Sequence, residues 1–221
     1  AFVRVCSGAF EAGMKLKVLR TGKELRPTSV VTFLSQRRDR VDEAYAGDII
    51  GIVTHGGLQL GDTLSEQEAL QYTGLPFFAP EMFRVVEVAD PMRSKQMQKG
   101  LKELGEEGAI QVFRPMSGNQ ILLGAVGQLQ FEVVAHRLKT EYGVEVRLMG
   151  AAQTGARWIS CEDPVELQRF ISANGDRLAL DAADTYAYLM PSRHDLQIRQ
   201  ERWPKIRFHP LREHAGLTLH H

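Results

Sequence analysis

The sequence predicts a small β-barrel domain followed by an α+β domain with a C-terminal extension. Short stretches that alternate apolar and polar residues between glycine turns fill the first third, and apolar stripes at helical spacing begin only afterwards. Between them, residues 74–80 carry two prolines, which bias the preceding residues towards extended backbone and indicate a linker. The predicted boundaries are therefore 1–75 for the barrel and 81–214 for the α+β domain, with 215–221 as a tail or tag remnant.

Short strands of period two account for the first domain. Residues 13–19 alternate apolar and polar side chains, and residues 30–34 are β-branched and aromatic. A Gly-Asp turn leads into the apolar residues 49–53, and further glycine pairs follow at short intervals. Closely spaced short strands with glycine-rich turns are typical of a small β-barrel.

The second domain combines strands with amphipathic helices. Residues 83–88 read as a strand, and Asp90 before a proline predicts the start of a helix. The apolar stripes of the two predicted helices are Met97, Leu101 and Leu104 in the first, and Leu129, Val133, Val134 and Leu138 in the second. Strands at 109–113, 120–126 and 144–148 complete a β-α-β-β-α-β order, which is that of the ferredoxin-like fold.

The C-terminal extension continues this mixture more weakly. It contains predicted strands at 157–161, 185–190 and 205–208 and a predicted helix at 164–172. No internal sequence repeat accompanies these elements.

Composition excludes several classes of protein. Lys plus Arg and Asp plus Glu both number 27, so the chain has no surplus charge for bulk neutralisation of nucleic-acid phosphates. With 43% hydrophobic residues it can fold around a core, and no apolar run is long enough to span a membrane. Cys6 and Cys161 lie far apart, which favours reduced thiols and a cytoplasmic setting. Because Ala1 stands where an initiator Met is expected, we expect the chain to begin inside a longer protein.

Two short motifs imitate nucleotide-binding sequences. Gly8 and Gly13 have the spacing of a phosphate-binding loop, but Met14-Lys15 follows where that loop needs Lys and then Ser or Thr. The motif also lies between two predicted strands, so no helix N-terminus would face a phosphate. Residues 48–51 imitate a GTPase switch motif without its companions, and no Asn-Lys-x-Asp motif occurs. We therefore expect a turn between strands here, and no nucleotide or other cofactor in this chain.

Other catalytic signatures are missing. His209 and His214 are close in sequence, but Pro210 breaks any helix that would bring them to one face. No G-x-S-x-G motif of a serine hydrolase occurs. The sequence therefore predicts neither a catalytic residue nor a metal site.

Arginines cluster in the predicted barrel. Arg37, Arg38 and Arg40 crowd one predicted loop, and Arg20 and Lys23 lie in another. Because a guanidinium can donate two hydrogen bonds to phosphate oxygens, these five residues are candidates for contacts with an RNA backbone. The alternative is a charged loop balanced by its acidic neighbours Asp39, Asp42 and Glu43.

Several longer segments resemble known translation factors. Four segments of this chain resemble the second domain of translational GTPases: residues 2–8, 13–16, 43–51 and 60–64. Four further segments of this chain are similar to the release factor three family of bacterial translational GTPases: residues 106–115, 124–134 and 137–145, and Ala156-Arg157-Trp158. The resemblance runs from about Ala1 to His214.

This resemblance implies a fold and a role. The barrel would be of the translation-factor domain II type, and the family's N-terminal GTP-binding domain, with its GTP or GDP and Mg²⁺, would be missing. The whole protein would be a cytoplasmic, ribosome-dependent GTPase that promotes release and recycling of class I release factors after peptide release. The fragment would have no enzymatic activity and would contact small-subunit rRNA and protein and its own GTPase domain, with Arg37, Arg38 and Arg40 nearest the rRNA.

Two other interpretations remain open from the sequence. The chain could be a free-standing RNA-binding or ribosome-assembly module built from the same two domains. It could also be a small-molecule enzyme with a site in the cleft between the domains, which would need convergent polar groups and perturbed acids that the sequence does not offer.

Overall fold

The computed structural model describes residues 1–34, 37–54, 57–72 and 76–213. They form two compact units, unit 1 within Ala1–Gly74 and unit 2 within Leu75–Glu213. The predicted tail, 215–221, and His214 lie outside the described residues.

Unit 1 consists of short antiparallel strands, as the period-two alternation predicts. The strands are β1 Phe2–Arg4, β2 Ala9–Glu11, β3 Leu16–Val18, β4 Glu24–Leu25, β5 Val30–Leu34, β6 Arg37–Arg40, β7 Glu43–Tyr45, β8 Ile49–Ile52 and β9 Leu64–Ser65. They pair in a four-stranded sheet of order β1-β8-β5-β6, a three-stranded sheet β4-β3-β9 and a two-stranded sheet β2-β7. Among the described residues these sheets do not join into one closed ladder.

The core of unit 1 lies on one face of the four-stranded sheet. Val30, Ile50 and Ile52 are buried there and pack with Phe10 and Leu16. Because side chains alternate between faces, the residues next to these in each strand project away from the core.

The predicted arginine loop of unit 1 is a strand. Residues Arg37–Arg40 form β6, which pairs antiparallel with β5 in a hairpin. The prediction of a loop was wrong because four consecutive polar residues can occupy an edge strand, where only one side of the backbone needs a partner.

Unit 2 contains ten strands and four helices within residues 76–213. These are β10 Pro76–Phe78, β11 Met82–Val88, α1 Ser94–Glu106, β12 Gln111–Pro115, β13 Ile121–Ala125, α2 Gln128–Tyr142, β14 Val146–Gly150, β15 Gly155–Ser160, α3 Pro164–Ala173, β16 Leu178–Leu180, β17 Tyr186–Met190, α4 Arg193–Arg202, β18 Arg207–His209 and β19 Leu211–Glu213. Short 3-10 turns at Pro91–Arg93 and Gly175–Arg177 precede α1 and β16.

The first half of unit 2 has the predicted β-α-β-β-α-β order. Its strands lie in the antiparallel order β14-β11-β13-β12. The α1 stripe, Met97, Leu101 and Leu104, is buried as predicted. In α2 the buried residues are Phe131, Val134 and Leu138, whereas the predicted stripe members Leu129 and Val133 are exposed.

The second half of unit 2 repeats the same order of elements. Strands β15 to β18 and helices α3 and α4 again follow the sequence β-α-β-β-α-β, with strand order β16-β17-β15-β18. The two halves join edge to edge through antiparallel pairing of β12 with β16, which gives one eight-stranded sheet. The sequence predicted neither β16 nor α4.

Helices cover the same face of this sheet in both of its halves, because Pro115 and Ala179, which pair across the junction, both lie on the helix-free side. In the first half, α1 and α2 pack on Val86 and Leu123, and in the second half α3 and its neighbours pack on Ile159 and Tyr188. The two helix-free faces pack against each other in a third cluster, which contains Phe83, Phe113, Leu122, Trp158, Ala179 and Ala187. Unit 2 is therefore a sandwich of two half-sheets with helices outside.

Candidate nucleic-acid interface

The outer face of the four-stranded sheet in unit 1 carries a row of four residues across its strands. Arg40 in β6 pairs with Val31 in β5, and Val31 pairs with Gly51 in β8. Gly51 in turn pairs with Phe2 in β1. Directly paired residues share a face, so Arg40, Val31 and Phe2 project to the same side, away from the core.

This outer face combines exposed apolar and cationic side chains. Phe2 is 75% exposed and Ile49, beside it in β8, is 57% exposed. Arg4 pairs with Ile49 across β1 and β8, and Arg4 and Arg40 are both exposed. Among the described residues, neither arginine makes an ion pair with a carboxylate. Two such guanidiniums beside an exposed aromatic ring can bind phosphate oxygens and stack on a base.

Arg37 and Arg38 are placed by the backbone of β6 alone. Arg38 lies opposite Phe33 and therefore on the same face as Arg40, whereas Arg37 lies opposite Leu34 on the other face. The structure describes the backbone of these two residues but not their side chains. The register thus divides the predicted arginine cluster between the two faces of the hairpin.

Arg20 is engaged in an ion pair within unit 1. Its Nε and Nη2 donate to the two carboxylate oxygens of Asp62 at 2.6 and 2.8 Å, and Nη2 also donates to the carbonyl oxygen of Gly57 at 3.3 Å. The Asp62 side chain is almost fully buried. Because a bidentate pair with a buried carboxylate uses the donors of the guanidinium, Arg20 serves the fold of this loop region.

Lys23 is exposed and lies apart from the β6 arginines. It precedes β4, and its carbonyl oxygen accepts a hydrogen bond from the amide of Val18 at 2.8 Å. Arg20 and Lys23 flank strands of the three-stranded sheet, whereas Arg37–Arg40 belongs to the four-stranded sheet. The structure therefore does not place the five predicted residues on a single sheet.

Sequence reasoning missed Phe2, Arg4 and Ile49 as members of the outer face. The signal was present in the alternation of β1, because Phe2 and Arg4 flank the inward-facing Val3. The pairing of β1 with β8, which adds Ile49, joins residues about 45 positions apart and could not be read from local pattern.

The residues that imitate nucleotide motifs do not fit a nucleotide. Ala9–Glu11 between Gly8 and Gly13 forms strand β2, which pairs with β7, so a loop that wraps a phosphate is absent there. Residues 49–51 of the switch-like motif lie inside strand β8. The strand at residues 49–51 was predicted, whereas the turn predicted between Gly8 and Gly13 was wrong because Ala9–Glu11 pairs with Glu43–Tyr45.

Histidines of the described residues lie in ordinary structural positions. His209 is buried in β18 and its Nε2 lies 2.7 Å from the Ser160 Oγ of the paired strand, while His136 is exposed on α2. No cluster of three His, Cys, Asp or Glu side chains suited to a metal occurs among the described residues. Within the same residues, no helix has the length and apolar character to cross a membrane.

Family comparisons cover both units. The family described as class II release factor RF3, C-terminal domain, matches residues 72–200, and elongation factor G domain 2 matches residues 1–67. Peptide chain release factor 3 of Bordetella pertussis (strain Tohama I) is 62% identical over 217 residues, which cover 98% of this chain and 41% of that protein. Peptide chain release factor 3 of Nitrosomonas eutropha is 62% identical over 219 residues, with 99% and 41% covered.

The chain spans about two fifths of the length of these curated relatives. A crystal structure of a Thermus thermophilus protein superposes with a TM-score of 0.58 over 74% of this chain and 27% of that chain. At 20% identity, that likeness concerns the fold alone. Unit 1 therefore has the fold of a translation-factor second domain, and the chain belongs to the class II release factor RF3 family, of which it carries the C-terminal part.

Proposed function

We propose that this chain is the docking and coupling part of a cytoplasmic, ribosome-dependent GTPase of translation termination. In the whole protein, a preceding domain binds GTP or GDP with Mg²⁺, and the factor promotes release and recycling of class I release factors after peptide release. Residues 1–75 form the domain that contacts the small ribosomal subunit, and residues 81–214 form the domain that couples to the rest of the factor. Membership of the release factor family supports this role.

The outer face of the four-stranded sheet is the observation that supports the docking role most directly. Arg4 and Arg40 have no acidic partner among the described residues, and Phe2 offers an exposed ring on the same face. Single-stranded or bulged RNA is held by this combination, because phosphates bind guanidiniums and unstacked bases bind aromatic rings. The face belongs to β1, β8, β5 and β6, so the sheet presents these groups at fixed spacing.

A limited number of contacts fits the neutral net charge of the chain. Each phosphate contact contributes about one unit to the slope of log affinity against log salt concentration. If Arg4, Arg38 and Arg40, which share the outer face, each neutralise one phosphate, their loss should lower that slope by about three. A chain without surplus charge can dock in this way only at a defined surface of the ribosome.

The test is charge reversal in the intact factor. The variant Arg4→Glu, Arg38→Glu, Arg40→Glu should sediment with ribosomes at least about tenfold more weakly at moderate salt, with a reduced salt slope. Its affinity for GTP and GDP should equal that of the wild type, because the variant leaves the nucleotide-binding domain unchanged.

The matched control reverses three exposed lysines in unit 2. The variant Lys95→Glu, Lys99→Glu, Lys102→Glu in and around the exposed side of α1 changes the net charge by the same amount. It should bind ribosomes nearly as the wild type does. Equal loss of binding in both variants, or no loss in the outer-face variant, would contradict the proposed docking surface.

A further inference from the structure

Strands β10 and β19 form a two-stranded ribbon of unit 2. Phe77 pairs with Arg212, and Phe78 with Leu211, in antiparallel register. The amide of Ala79 continues the ladder by donating to the carbonyl oxygen of Pro210 at 2.9 Å. The ribbon thus joins the segment that enters unit 2 to the last strand that the structure describes.

Arg212 is one residue by which the ribbon attaches to the sandwich, and Gln111 Nε2 of β12 also donates to the carbonyl oxygen of Phe78 at 2.6 Å. The Arg212 guanidinium lies 4.4 Å from the centre of the Phe77 ring and 5.5 Å from that of Trp158. Its Nε lies 2.8 Å from the Asp181 Oδ2 in an ion pair, and Arg212 is only 7% exposed. The cation is therefore removed from water, where the Asp181 carboxylate and the two ring faces stabilise it.

Asp181 holds its carboxylate ready for this ion pair. Oδ2 also accepts a hydrogen bond from the indole Nε1 of Trp158 at 2.9 Å, and Oδ1 accepts from the amides of Ala183 and Thr185 at 2.9 and 3.0 Å. Asp181 is 2% exposed. These three donors fix the carboxylate within the β16–β17 loop, residues 181–185, so its position depends on the conformation of that loop.

The 181–185 loop is also tied to the first half of unit 2. Arg114 of β12 donates from Nη2 to the carbonyl oxygen of Asp181 at 3.1 Å and forms an ion pair with Asp184. Asp184 has a φ of 59°, the one positive φ outside glycine among the described residues. The left-handed region is unfavourable for a residue with a Cβ, and the ion pair with Arg114 helps to hold Asp184 there.

We propose that the ribbon is a strap that opens locally, and that the 181–185 loop controls it. When Arg212 leaves Asp181, the ribbon and Phe77 detach from the sandwich while both half-sheets stay folded. Arg114, which does not touch the ribbon, stabilises the closed strap because it holds the loop in the conformation that presents the Asp181 carboxylate. The loop thereby couples the segment entering unit 2 to both halves of that unit.

Hydrogen exchange on the full 221-residue chain tests this device. In Arg212→Met, amides that bond within the ribbon, such as that of Ala79, should exchange about a hundredfold faster, because the variant leaves Asp181 buried without its cation. Amides in β11 and β13 should keep their wild-type rates. Arg212→Lys keeps the charge but loses the planar group, so the exchange rates of the same amides should increase less. This variant replaces Arg212→Met in the test if the Met variant does not fold.

A second variant tests whether the 181–185 loop controls the opening of the ribbon. Arg114→Met should speed exchange in the ribbon by about tenfold, and the double variant with Arg212→Met should add little to the single Arg212 change. Two matched controls should leave the exchange rates of the ribbon unchanged. One is Arg207→Met on neighbouring β18, whose partner Glu162 is exposed, and the other is Arg147→Met on β14.

Two results would overturn the proposal. Uniformly faster exchange throughout unit 2 in the Arg212 variants would show that the ribbon opens only when the whole unit unfolds. Wild-type exchange of the ribbon in Arg114→Met, or full additivity in the double variant, would show that the loop does not control the strap.

Discussion

Three strand glycines of unit 2 differ in the space around them and give a sharp test of the sandwich. An added Cβ at Gly124 of β13 would lie 2.6 Å from the Pro80 Cγ and 2.9 Å from the Phe113 Cε2. At Gly155 of β15 it would lie 2.1 Å from the Met190 Cε, and at Gly150 of β14 it would meet no atom within 4 Å. The three Gly→Ala substitutions therefore add the same methyl group to three different environments.

The free energies follow from which neighbour can move. The rings of Pro80 and Phe113 are rigid and belong to the helix-free interior, so Gly124→Ala should cost about 1–3 kcal/mol by overpacking. The end of a methionine side chain moves more easily, so Gly155→Ala should cost less. Gly150→Ala should raise the free energy of unfolding by about 0.4–1 kcal/mol, because alanine lowers the entropy of the unfolded chain.

Urea unfolding followed by tryptophan fluorescence measures these differences in unit 2 alone. The chain has two tryptophans, Trp158 and Trp203, and both belong to unit 2. With a slope of about 2 kcal/mol per molar urea, the midpoints of Gly124→Ala and Gly150→Ala should differ by about 1 M. Equal midpoints for these two variants would refute the packing of Pro80 and Phe113 against Gly124, and with it the sandwich of helix-free faces.

Two further predictions concern the second half of unit 2. Phe170→Ala should lower the free energy of unfolding by about 3–5 kcal/mol, because Phe170 is fully buried against Tyr188, Trp203 and Phe208, whereas Val165→Ala on the exposed side of the same helix should change it by less than about 0.5 kcal/mol. Burial, and then the hydrogen bond to Asp195, raises the pKa of Tyr188 to about 12, so the folded chain keeps this proton at pH values where the unfolded chain loses it. The stabilisation by the Tyr188 hydroxyl should thus be complete below about pH 10 and disappear as the pH rises from about 10 to about 12. Urea midpoints of the wild type and Tyr188→Phe should converge over that range, and a constant difference would contradict the shifted pKa.

The first half of unit 2 could be predicted from sequence, and the second half only in part. In α1 the buried residues repeat at spacings of four and three, so a local stripe defines the helix. In α4 no residue is fully buried, and polar or charged residues occupy every position except Leu196 and Ile198. That helix begins at the local Ser192 cap and is fixed by contacts of Asp195 with Arg177 and Tyr188, which belong to other elements. Local periodicity could not reveal it.

The arginine cluster shows a similar limit for the candidate site. From the sequence, Arg20 and Arg40 are equal candidates for RNA contact. In the structure, however, Arg20 forms an ion pair with Asp62, which lies 42 positions away. Arg40 has no acidic partner among the described residues and shares its face with Phe2. Which cation can meet a phosphate thus depends on long-range pairing, and charge counting along the chain cannot supply that information.

The segment predicted as a linker is the place where sequence pattern and packing differ most instructively. Its prolines predict extended backbone between domains, and β10 is indeed extended. Yet Phe77 packs on the helix-free cluster beside Trp158, and Pro80 is buried against Gly124. Strand β19 and the segment that enters unit 2 therefore cover part of the interior between the two helix-free half-sheets. Residues 76–80 therefore belong to unit 2 energetically and do not form a flexible tether.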